Sequence, residues 1–269
     1  MRPKDSDVSG EPTQIVLTGD PGGVTASLIA SLSEVVRAGL TDWALIGGLA
    51  VMARLSESHR VTGDIDTLSR QVDPPPKAAL LRVARAETST GVLLSDGTKV
   101  DLIEVAPTLD LAALPDGTGQ RMFALAHWWM ADTAEEVVLS VVGGDRGQAG
   151  VVAVERLRLA TPAALVAAKL QSIPARRARA LDKRESDAYD VYRLLRADRD
   201  GEIAQALAGA PGDLGPWCLG ALHDLLVANA TRSARWLRNV AGTAAPDIGD
   251  LEAVGSLAYE ELTRQLEGL

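Results

Sequence analysis

The stretch from Trp43 to Asp66 restricts the possible folds more than any other part of the chain. A short apolar run, Trp43 to Ile46, leads through Gly47 and Gly48 into LAVMARL, whose apolar spacing predicts a helix beginning near Leu49. Thr62-Gly63-Asp64-Ile65-Asp66 follows. Alternate side chains of a strand share a face, so a strand here sends Asp64 and Asp66 one way and Ile65 into the core on the other. Strand, glycine turn, helix and second strand in this order call for a sheet with helices packed beside it.

The rest of the first half is mixed in the same way. TASLIASLSEVVRAGL, Thr25 to Leu40, predicts an amphipathic helix with Leu28, Leu32, Val35 and Val36 on one side. After Pro74-Pro75-Pro76, KAALLRVARAE reads as helix. GVLLS and TKVDLIEV flank Asp96-Gly97, which predicts a hairpin, and EEVVLSVVGG is another strand. From Thr161 the periodicity becomes helical. Thr161 and Pro162 stand as N-cap and first helical residue, and four further helical segments follow ATPAALVAAKL, ending with DLEAVGSLAYEELTRQL. The expected division is a leader over 1–12, an α/β core over 13–160 and a helical part over 161–269.

Charge and composition exclude several classes. Of 269 residues 46% are hydrophobic, enough for a core. A net charge of -9 argues against a general nucleic-acid coat, so any contact with RNA must be local. One cysteine, Cys218, permits no internal disulfide framework and points to a reducing cytoplasm. Three histidines, His59, His127 and His223, lie scattered, so no zinc site is expected and none receives a catalytic role. MRPKDSDVSGEPT lacks the apolar stretch of a signal peptide, and no run is long enough to span a bilayer. Thr18-Gly19-Asp20-Pro21-Gly22-Gly23 lacks the Gly-Lys-Ser/Thr ending of a phosphate loop and reads as a turn.

The Asp64 and Asp66 pair is the feature that bears chemistry. Magnesium favours one or two carboxylates together with phosphate oxygens and water, the set such a pair offers beside a bound nucleotide. Asp101, in Lys99-Val100-Asp101, can add a third carboxylate from another strand, and three permit two metals. It can equally be an ordinary outward-facing residue, and the sequence does not choose. Gly47 and Gly48 suit phosphate oxygens at a helix start, where bare backbone amides and the helix dipole favour anions. Alone, either the aspartate pair or the glycine pair is weak; their order, with one helix between, gives them weight.

These residues resemble a known family. LIGGLAVMARL and HRVTGDIDTL look like the first motif of the polymerase-β-like nucleotidyltransferases, and specifically of the AbiEii/MenT-like toxins of bacterial type IV toxin–antitoxin systems. ATPAALVAAKL resembles the family's lysine motif and KRESDAYDVYRLL its last motif. The resemblance implies a mixed-sheet nucleotidyltransferase core followed by helices, with Asp64, Asp66, Lys169 and Asp187 catalytic and Asp64, Asp66 and Asp101 holding Mg2+. Gly47, Gly48, Thr62, Arg60 and Lys169 would bind a nucleoside triphosphate. It further implies transfer of a nucleoside monophosphate to the 3′ end of tRNA and a cognate antitoxin protein as partner. This chain departs from the usual pattern in Gly63 and in an arginine-rich insert before Asp187. Transfer to a small molecule or a protein, or a catalytically silent nucleotide-binding module, are the other readings.

The residues by themselves leave these later roles open. Ala188, Val191, Tyr192 and Leu195 predict an inward helical stripe with Asp187 and Asp190 at its margin, reaching a cleft, solvated, or paired with Lys183 and Arg184. Composition alone favours an exposed Lys169. Arg176, Arg177, Arg179, Lys183 and Arg184 form a dense basic run, and Arg232, Arg235 and Arg238 recur at spacings of three; both groups can grip an RNA backbone or simply face solvent. Arg60 can meet substrate phosphate or pair with a carboxylate. Trp128 and Trp129 can stack on a base, though burial is favoured.

Overall fold

The computed structural model describes residues 11–18, 23–57, 62–143, 150–176 and 181–269. Eight strands form one mixed sheet: β1 (Thr13–Thr18), β2 (Trp43–Ile46), β3 (Asp64–Ser69), β4 (Ala86–Glu87), β5 (Gly91–Leu93), β6 (Lys99–Glu104), β7 (Glu135–Gly143) and β8 (Gly150–Leu159). Their spatial order is β1-β7-β8-β2-β3-β6-β5-β4. The centre carries the site. β2 runs antiparallel to β3, and β3 runs parallel to β6 in a register that places Asp66 beside Asp101.

Each central strand arises from local pattern. All four residues of WALI are buried, as expected of a strand covered on both faces. In β3, Ile65 is fully buried while Asp64 and Asp66 are half-buried on the opposite face. The β5–β6 hairpin turns through Asp96-Gly97 as the sequence indicated. Gly97 has φ +93°, and the Asp96 carboxylate accepts from Ser31 on α1 (Val24–Arg37), fastening the turn to the helix. On α1, Leu28, Leu32 and Val35 are buried, whereas Val36 is exposed, so the apolar stripe is narrower than predicted.

Helix α2 (Gly47–Leu55) starts at the glycines themselves, not near Leu49. Its Arg54 donates to the carbonyls of Leu159 and Ala160 and pairs with Glu135, tying the helix to the ends of two strands. Helix α3 (Pro76–Leu81) corrects a second expectation: KAALLRVARAE is not helical throughout. The Arg85 amide donates to the Leu93 carbonyl and β4 pairs with β5, so sheet hydrogen bonds override helix propensity there. Three elements come without a sequence forecast: β1, β8 and the 16-residue helix α4 (Thr118–Thr133).

The second half is helical: α5 (Pro162–Ala175), α6 (Leu181–Ala197), α7 (Glu202–Ala208), α8 (Leu214–Leu222), a π-helical turn over His223–Ala228, α9 (Ala230–Ala241) and α10 (Ile248–Glu267). Thr161 occupies the N-cap of α5 without a side-chain capping bond; its hydroxyl lies 3.3 Å from that of Thr133. The predicted stripe of α6 is buried throughout. α4 packs on α5, α2 on both α5 and α6, and one apolar core runs from the sheet into the helices. These contacts bring the starts of α2 and β3 to face the middle of α5 and α6.

Candidate active site

Three carboxylates meet at the starts of β3 and β6. One oxygen from each of Asp64, Asp66 and Asp101 lies within 4.8 Å of the other two. Such crowding of like charge is costly, and it shows at Asp66: burial first, then the neighbouring Asp64 carboxylate, push its pKa up to about 6 against the pull of Lys169. At Asp101 burial works in the same direction, but hydrogen bonds from Lys99 and Thr90 outweigh it and hold the pKa below the ordinary value. Lys99 Nζ is 2.7 Å from Asp101 Oδ2, and Lys183 Nζ is 3.7 Å from Asp64 Oδ2. Both lysine side chains are substantially exposed, so these cations border the cluster without filling it. An all-oxygen donor set of this size fits a hard divalent cation.

Gly47 lies directly against the cluster. Its φ is +69°, a conformation that L side chains rarely adopt, and a Cβ built there would stand 1.9 Å from Asp66 Oδ2. The glycine therefore makes room first for the aspartate, a role the sequence did not suggest. Gly48 is buried in the first turn of α2, whose N-cap, Ile46, offers no side-chain acceptor. The amides of that turn are the natural seat for an anion. Thr62 is buried beside them, its hydroxyl 3.5 Å from Asp64 Oδ1.

Across the cleft, Lys169 is buried, which removes the exposed alternative. Its Nζ lies 3.0 Å from Asp187 Oδ1 and 2.7 Å from Asp190 Oδ2. Asp187 Oδ2 also accepts from Ser172 at 2.7 Å and from Arg176 at 3.1 Å. Burial alone would raise the Asp187 pKa; Lys169, Ser172 and Arg176 together hold it below the usual carboxylate range. Asp190 is fully buried. Of the readings left open for these aspartates, the cleft holds for Asp187, and their partner on α5 is Lys169 in place of solvent, Lys183 or Arg184.

The cleft thus brings together Gly47, Gly48, Thr62, Asp64, Asp66, Lys169 and Asp187. Asp101 joins through the carboxylate cluster. Arg60, His59, Arg177 and Arg179 lie outside the described residues, as do 1–10 and 19–22 of the expected leader and N-terminal turn. Of the basic run, Arg176 and Lys183 turn into the cleft. Sequence reasoning missed Ser172 and Thr90, and named His127 without placing it at the cleft. The first has a detectable signal, one helical turn beyond Lys169. His127 lines the cleft wall, its Nδ1 2.8 Å from the Phe123 carbonyl, and burial lowers its pKa so that it stays neutral. Trp129 is buried, as favoured.

A mixed sheet thus presents three carboxylates beside a glycine-started helix, with a buried lysine opposite, an arrangement that suits a divalent cation together with a polyphosphate. Residues 32–218 match the family model described as the nucleotidyl transferase AbiEii toxin of type IV toxin–antitoxin systems, and the chain belongs to that family. Membership carries a nucleoside triphosphate substrate and an antitoxin partner. Comparison with curated proteins and with solved structures returned no match. Among the described residues, no helix is long and apolar enough to cross a membrane.

Proposed function

We propose that this toxin transfers a nucleoside monophosphate from a nucleoside triphosphate to the 3′ end of tRNA, in a magnesium-dependent reaction in the cytoplasm. The observation that carries the reading is the convergence of Asp64, Asp66 and Asp101 on one point beside the first turn of α2. In this reading residues 13–160 supply the metal and phosphate side of the cleft and residues 161–269 the cationic side.

Asp64, Asp66 and Asp101 would hold the metal. When bound, magnesium would lower the cost of alkoxide character on the attacking 3′-hydroxyl and of charge on the departing pyrophosphate. The amides of Gly47 and Gly48 donate to the triphosphate oxygens, and Thr62 steadies Asp64. Lys169, held in place by Asp187 and Asp190, brings positive charge to the phosphate side of the cleft. Since Asp187 is already bonded to Lys169, Ser172 and Arg176, its role is to orient the lysine; this differs from a direct place beside the metal or the attacking hydroxyl. The tRNA acceptor is supported by the toxin family and by the cationic Arg176 and Lys183 at the cleft.

The test is labelled transfer. The protein is incubated with magnesium, each labelled triphosphate, and tRNA, small hydroxyl compounds or its own chain as acceptor. Label at the tRNA 3′ end that disappears in Asp66→Ala is the expected result. Label only on another acceptor replaces tRNA in the reading, and absence of transfer to every acceptor reduces the protein to a nucleotide-binding module.

A further inference from the structure

A second cavity, of about 740 Å³, lies between α5, α6, α8 and α9. That volume is in the range that holds a small organic ligand. Its walls include Arg184, Arg232, Arg235, Trp217, Trp236 and Asp224. Arg184 Cζ lies 4.4 Å and Arg232 Cζ 4.9 Å from the centre of the Trp236 ring. Two guanidiniums thus converge on one indole, and the single carboxylate in the wall, Asp224, sits 3.6 Å from Arg232 with its side chain largely in solvent. Three arginines against one aspartate leave an excess of about two positive charges at neutral pH, in a protein whose net charge is -9.

Two of these arginines keep an unspent donor. Among the described residues, Arg184 Nε and Arg232 Nε are buried without a hydrogen-bond partner. A buried guanidinium N–H left unpaired costs free energy that an anion would recover. Contact with an aromatic face does not use the in-plane donors. Trp217, half-buried in the same wall, adds an aromatic surface on which a planar ring can stack.

We infer that this cavity binds one nucleotide unit of a single-stranded polynucleotide, with its phosphate on Arg184 and Arg232 and its base against Trp217. Position supports a strand over a free nucleotide. Arg184 follows Lys183 on α6, and Lys183 faces the carboxylate cluster, so the cavity and the cleft flank the same end of one helix. A helix is about 10 Å across, a span that one or two nucleotides bridge. The inference deepens the proposed reaction by giving the acceptor strand a second hold upstream of its reacting end, and rests on that reading only for which strand is bound.

The test is fluorescence anisotropy of a labelled single-stranded octauridylate with the full chain, in EDTA so that metal-assisted binding in the cleft is absent. We expect binding that Arg184→Gln and Arg232→Gln each weaken about tenfold, that Trp217→Ala weakens about tenfold and that Asp66→Asn leaves intact. Arg235→Gln, an exposed change that the fold tolerates, should lower the slope of log affinity against log salt by about one. Thermal melts confirm that the variants fold, and the Arg235 result decides if the others do not. Equal binding by all four cavity variants, or no binding by the wild type, overturns the inference. So does displacement by polyglutamate of matching charge as effective as by unlabelled octamer, which would assign the cavity to an acidic polypeptide. Octamer binding with these dependences but no nucleotidyl transfer would retire the reaction and keep the cavity.

Discussion

The two charged clusters of the cleft are built on opposite principles. Asp64, Asp66 and Asp101 crowd three negative groups together with their cations at the border, and Asp66 is pushed up to about 6 by burial and by Asp64. Lys169, Arg176, Asp187 and Asp190 balance two positive charges against two negative ones, largely out of water. The first arrangement is electrostatically incomplete and gains from an added cation. The second is complete, and what it needs is that none of its members be removed.

Five experiments press on that contrast. Asp66→Asn should abolish transfer, by about 10³-fold or more in kcat, while the melting temperature stays level or rises because a crowded charge is gone; a large fall in stability would make the cluster structural. Lys169→Ala should do the reverse to the fold. It leaves two buried carboxylates facing each other and should cost about 3–5 kcal/mol in urea unfolding; a loss under 1 kcal/mol would mean that the balanced cluster is solvated. Magnesium at about a hundred times its dissociation constant should stabilise the wild type by about 2.7 kcal/mol and Asp66→Asn by much less, read from melts with and without EDTA. Equal stabilisation of both would move the metal elsewhere.

Gly47→Ala combines a positive φ with a clash against Asp66 and should cost about 2 kcal/mol, together with most of the transfer activity. The smallest effect concerns His127. Burial lowers its folded pKa, so as pH falls below about 6.5 the unfolded chain takes up a proton that the folded one does not. Stability should then drop by up to about 1.4 kcal/mol per pH unit, and His127→Asn should flatten that part of the profile. A profile unchanged by the substitution would show the imidazole to be hydrated.

The sequence was readable where structure is local. WALI, the glycine pair and the alternation of Asp64 with Ile65 fixed β2, α2 and β3 because burial period and backbone freedom are properties of neighbouring residues. The family resemblance carried by that unit and by the later ATPAALVAAKL and KRESDAYDVYRLL segments is borne out by the family match over residues 32–218. Asp101 was undecidable because its position depends on the parallel register of β6 with β3, whose paired residues, Asp66 and Asp101 among them, lie 35 positions apart in the chain. The burial of Asp190 and Lys169 was hidden for a similar reason: each has the composition of a surface residue, and only the packing of α5 on α6 supplies the partner. The short α3 marks where pairing between strands outweighed a helical pattern.

The nearness of Gly47 to Asp66 also bears on how the enzyme can be controlled. With no atom between the glycine Cα and the carboxylate, the opening turn of α2 and the tip of β3 have no dead travel between them. A displacement of α2 toward the strand would therefore press first on an aspartate of the carboxylate cluster. The position of that helix and the geometry of the site are in this sense one variable.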